Sequence, residues 1–104
     1  MWASIPSATI VRPGTTFKAN PNPIIVHPPT HLGKTTLTWH APVASVEIHL
    51  GSAGGKLFAQ GGHDGTAETG DWVSNNMVFY LQDATASKPT DQSATLAMLP
   101  VAVR

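Results

Sequence analysis

The chain contains no cysteine. That removes both a disulfide framework and a thiolate metal site, so a stable fold must come from packing alone. Charge is scarce as well, at 12% of residues. The six cations Arg12, Lys18, Lys34, Lys56, Lys88 and Arg104 stand singly and are balanced by six acids. No basic stripe exists to neutralise phosphates, which argues against nucleic acid as a partner. The same balance argues against an anionic membrane surface. No apolar run approaches the roughly 18 to 20 residues of a membrane span, so no membrane is expected as a partner. The opening MWASIPSATIV lacks the basic n-region and long apolar h-region of a signal peptide, and the chain reads as a module cut from a longer protein. No segment offers a capped amphipathic helix. An uncharged ligand fits such a surface better than a charged one.

What the chain does have is alternation. Its 104 residues suit one domain with a single sandwich-sized core. The organising stretch is TGDWVSNNMVFYLQD at 69–83. It reads as a strand closing on Trp72 and Val73, a polar turn at Ser74, Asn75 and Asn76, and a second strand. In that second strand Met77, Phe79 and Leu81 alternate with Val78, Tyr80 and Gln82. If the first set faces a core, Tyr80 and Gln82 face outward.

Other segments repeat the pattern. Leu37 and Trp39 share one face of KTTLTWH while Thr36, Thr38 and His40 share the other. In ASVEIHL, Val46, Ile48 and Leu50 point inward, with Glu47 and His49 outward. TLAMLPVAVR closes the chain with Ala97, Leu99, Val101 and Val103 on one face and Met98 opposite, Pro100 marking an edge or bulge. Phe17 and Ala19 begin an early strand that Pro21 and Pro23 kink before Ile24, allowing it to pair with two sheets. Between Gly51 and Gly70 the glycines crowd, and only KLFAQ looks like a strand. The expectation is an all-β antiparallel sandwich of about seven strands spanning 15–104, with 1–14 as a linker or edge extension.

At LTWHAP, VEIHLGSAGGKLFAQGG and TGDWVSNNMVFYLQD the chain resembles the immunoglobulin-like and fibronectin type III-like modules of bacterial extracellular and carbohydrate-active proteins. Trp39 matches the core tryptophan of their second strand. The stretch 72–79 matches their hydrophobic residue, turn and aromatic at a corner, although Ser74, Asn75, Asn76 and Met77 lack the glycine often found there. The resemblance implies a non-catalytic module beside a catalytic domain of a secreted glycoside hydrolase, similar to a module that binds β-glucan or cellulose-like chains. The alternative that it implies is a structural spacer packing against neighbouring domains.

The carbohydrate reading selects Tyr80, Trp72, Glu47, His49 and Gln82. A β-linked glucose has a flat C–H face that stacks on an aromatic ring and a rim of hydroxyls that needs carboxylate, amide and imidazole partners. Tyr80 and Gln82 flanked by Glu47 and His49 would offer both on one sheet face. Trp72 either plugs the core or presents a platform. Trp2 lies in the unmatched start of the chain.

Metal and catalytic motifs are sparse. His27 and His31 are four apart, but Pro28 and Pro29 forbid the helix that would align them. Asp64, Glu68, Asp71, Asn75, Asn76, Asp83 and Asp91 are oxygen donors near loops. They leave a structural calcium open without matching a calcium loop, and no cofactor is required. There is no G-x-S-x-G elbow, and Glu47 and Glu68 are the only glutamates, so no enzyme is expected.

Overall fold

The computed structural model describes residues 10–85 and 94–104. Trp2 and Asp91 lie outside them, as does most of the proposed linker. The described residues form β1 (Ile10–Val11), β2 (Thr16–Asn20), β3 (Thr36–His40), β4 (Val46–Leu50), β5 (Lys56–Gly61), β6 (Asp64–Glu68), β7 (Met77–Asp83) and β8 (Thr95–Val101). They make two sheets whose strand ladders are antiparallel, one in the order β1-β8-β7-β4-β5 and the other β2-β3-β6. The protein is an all-β sandwich.

The period-two pattern sets which side chains fill the space between the sheets. The smaller sheet contributes Phe17, Leu37 and Trp39. The larger contributes Val46, Ile48, Phe79, Leu81, Ala97, Leu99 and Val101, all buried. Outward Thr38 and His40 on β3 are exposed. The expected faces of β3, β7 and β8 are therefore as observed.

The early strand does divide its pairing. Its first half, β2, runs against β3 in the smaller sheet. Beyond Pro21 and Pro23 the chain crosses to the larger sheet, where Ile24 forms a parallel bridge with Val103. The Ile24 N–H donates to the Ala102 carbonyl, and the Arg104 N–H donates to the Ile24 carbonyl, each at 2.8 Å. The Asn22 side chain fills the gap, donating to the Pro100 carbonyl and accepting from the Ala102 N–H. Pro100 is tolerated in β8 because its missing N–H falls on this outer side rather than on the ladder to β7. With β1 covering Ala97 and Met98, the outer side of β8 has little free backbone to template association.

Two expectations are corrected. The glycine-rich stretch holds a second strand, β6, which lacks a large apolar residue to announce it. Its register places Gly65 opposite Trp39, and a Cβ there would lie 2.2 Å from Trp39 Cζ2. Gly61 on β5 would bring a Cβ within 2.7 Å of the same atom. The indole lies over both glycines and donates through Nε1–H to the Gly62 carbonyl at 3.0 Å.

The second correction is that Trp72 and Val73 do not form a strand paired with β7. Fully buried Val73 bridges Gly33 through two backbone hydrogen bonds of 3.0 Å. Trp72 packs over Gly70, and β7 pairs with β4 and β8 instead.

The corner without a glycine is accommodated by Asn76, which adopts φ 68°. Asparagine enters the left-handed region at low cost because its short polar side chain bonds locally. The Met77 N–H closes the turn on the Ser74 carbonyl, and the Asn76 N–H reaches the Val101 carbonyl. Asn76→Val is therefore expected to cost on the order of 1 to 2 kcal/mol, whereas Asn76→Gly should stay close to the parent. Urea denaturation of the two variants checks this, and equal losses would contradict the role given to the backbone angle.

Candidate functional site

The register of the larger sheet assembles the outer face. One row across it runs Leu57, His49, Tyr80 and Met98, and the next runs Gln60, Glu47, Gln82 and Thr95. Glu47, His49, Tyr80 and Gln82 thus share a face, as the alternation requires. Their availability differs from expectation.

Gln82 is 1% exposed, and its Oε1 accepts the Thr95 hydroxyl at 2.5 Å. The pairing skips Leu96, with Leu81 opposite Ala97 and Gln82 opposite Thr95. This irregularity brings Thr95 beside Gln82. His49 is 6% exposed. Its Nδ1–H donates to the Gly55 carbonyl at 2.7 Å, and its Nε2 faces Glu47 Oε1 at 2.8 Å. Whichever partner holds the proton between imidazole and carboxylate, that pair is closed on itself. His49 is therefore not the free acceptor a sugar hydroxyl would need. Tyr80 remains half-buried at the centre, with Val78, Met98 and Pro100 around it, also half-buried. Around Tyr80 the face presents an apolar band where a mixed aromatic and polar set was expected, and exposed Gln60 and half-buried Glu47 stand in the adjoining row.

Trp72 lies away from this face. Its ring meets Phe58 at 5.4 Å in an edge arrangement and Phe79 at 6.4 Å. Phe58 is the extra residue of a bulge, since Ile48 pairs with Ala59 and His49 with Leu57. Phe58 and Trp72, with Leu50, Lys56 and Leu57, line an open cleft of about 480 Å³ at the β5 edge. Trp72 both packs on the core and forms a cleft wall.

Among the described residues, the oxygen donors considered for calcium are dispersed. Asp83 Oδ1 takes the Thr85 N–H, Asn75 Oδ1 takes the Val103 N–H, and Glu68 stands 3.9 Å from Lys34. Asp64 instead sits with two histidines. His40 Nδ1 is 2.5 Å from its Oδ1, and His63 Nδ1 is 2.8 Å from its Oδ2. Spacing along the chain gives no sign of this group, because His40 and Asp64 meet through the pairing of β3 with β6.

The hydrogen bond from His40 holds the Asp64 carboxyl below the usual carboxylate range, with the charges of His40 and His63 acting in the same direction. A depressed carboxyl stabilises the fold above its unfolded pKa, and that contribution disappears as pH falls through the folded value. Asp64→Asn should thus trail the parent slightly in thermal melts at neutral pH, with the gap closing in acid. A gap that widened in acid would contradict the sign.

Comparison with family models, with curated proteins and with solved structures finds no match to this chain.

Proposed function

We propose that the chain is a non-catalytic accessory module of immunoglobulin-like or fibronectin type III-like design, a spacer whose larger sheet meets a neighbouring protein surface. The observation that carries this reading is the internal closure of His49 and Gln82, the polar groups beside Tyr80. His49 is spent on Gly55 and Glu47, and Gln82 receives Thr95. Around Tyr80 the outside is the half-buried band of Val78, Met98 and Pro100, with Glu47 and exposed Gln60 in the adjoining row. Apolar bands suit protein surfaces, whereas sugar recognition needs available hydroxyl partners beside the ring.

A second reading keeps β-glucan but moves it from the Tyr80 face to the Trp72 cleft. The half-buried indole there has Lys56 and exposed Leu57 beside it. That reading carries with it a secreted bacterial setting and a glycoside hydrolase in the same chain.

Affinity electrophoresis in gels containing soluble β-glucans separates the two. Unretarded migration is expected for the spacer. Retardation abolished by Trp72→Leu would establish the cleft reading in its place. Retardation abolished by Tyr80→Ala would overturn both and restore the sheet face as the sugar site.

A further inference from the structure

The group formed by His40, His63 and Asp64 plays no part in the proposed function. We propose that these three side chains bind one divalent transition-metal ion of the zinc, cobalt or nickel class, clipping the end of β3 to the start of β6.

The argument begins with the backbone. His40 and Asp64 are directly opposed in the β3 and β6 ladder, which fixes their spacing without help from their side chains. His63 is held from both sides. The Gly62 carbonyl accepts the Trp39 indole N–H at 3.0 Å, and the His63 carbonyl accepts the Ala41 N–H at 2.7 Å. Two hydrogen bonds from the residues on either side of His40 therefore anchor the turn carrying His63. Three ligating groups are held on rigid elements before any ion arrives, which lowers the ordering cost of binding.

The side chains converge accordingly. One ligand atom from each residue lies within 4.8 Å of the other two. An ion with bonds of about 2.0 to 2.2 Å to nitrogen and oxygen holds its ligand atoms about 3.3 to 3.5 Å apart. The present contacts of 2.5 and 2.8 Å between imidazole and carboxylate need only a small spreading to admit one. All three side chains are more than half exposed, so the rings can turn to make that space. Each ring then carries its proton on Nε2, leaving the Nδ1 lone pair for the metal.

The donor set selects the class of ion. Two imidazole nitrogens and one carboxylate favour zinc and its neighbours over calcium or magnesium, which prefer all-oxygen shells. Three protein ligands leave at least one position for water. Since β6 is the outer strand of its sheet, an ion bridging it to β3 would oppose fraying of that edge. Binding only the folded state would make the melting temperature rise with metal concentration.

The test is calorimetric titration of untagged, chelator-stripped protein with zinc chloride near neutral pH. It compares the parent with His63→Ala, Asp64→Asn and His27→Ala. The expected result is one ion per chain, with affinity reduced at least about tenfold in the first two variants and unchanged in the third. Because the altered side chains are exposed, melts in chelator should show that each variant still folds. Absence of binding up to about 1 mM zinc would overturn the proposal. So would parent-like affinity in both His63→Ala and Asp64→Asn, or a loss caused by His27→Ala, since the ion would then be held elsewhere.

Discussion

Trp39→Ala should unfold much of the population at ordinary temperature. The indole is 4% exposed, faces Phe17 on one neighbouring strand and Gly65 on the other, and covers two glycines that contribute no side chain of their own. Removing it leaves a cavity that those glycines cannot fill and strips the Gly62 carbonyl of its donor. Truncations of this kind cost on the order of 3 to 5 kcal/mol. That is comparable with the whole stability of many domains. Equilibrium urea denaturation reads the loss directly. A midpoint equal to the parent's would contradict the placement of Trp39 between the sheets.

Gly65→Ala approaches the same contact from the other side and should also be strongly destabilising, although it adds only a methyl group. Its Cβ would stand 2.2 Å from Cζ2, 2.7 Å from Cε2 and 2.9 Å from Cη2 of Trp39. The ring cannot retreat freely, because its N–H is bonded to Gly62 and its other contacts are in the core. Overpacking of this sort costs on the order of 1 to 3 kcal/mol. The specific expectation is coupling: in a Trp39→Phe background, where the smaller ring leaves room, Gly65→Ala should cost measurably less. Equal costs in the two backgrounds would mean that something other than the indole demands glycine at 65.

These two residues also show where sequence reading reached and where it stopped. Leu37 and Trp39, Phe79 and Leu81, and Leu99 and Val101 each recur at a spacing of two, and each pair is buried as that period requires. The sandwich follows from them. Strand β6 was illegible for a physical reason. Its inward positions are Gly65 and Ala67, the first small because Trp39 from another strand occupies the space, and a pattern that depends on a distant residue leaves no local trace.

The outer face was legible as a set and not as a surface. Alternation placed Glu47, His49, Tyr80 and Gln82 together. Their closure depends on the Gly55 carbonyl, which comes from the turn after β4, and on the irregular pairing that sets Thr95 beside Gln82. Neither is encoded by period two. The group of His40, His63 and Asp64 was missed similarly, since it exists only through the register of β3 and β6.

The central claim is that His49 and Gln82, the polar groups beside Tyr80, are closed on their neighbours rather than free for sugar. Titration of isotope-labelled protein with a soluble β-glucan oligosaccharide, followed by amide and side-chain NMR shifts, tests it residue by residue. The account predicts no shift for the His49 ring, the Gln82 amide or the Tyr80 backbone at saturating oligosaccharide. Concerted, saturable shifts at these three positions would contradict it.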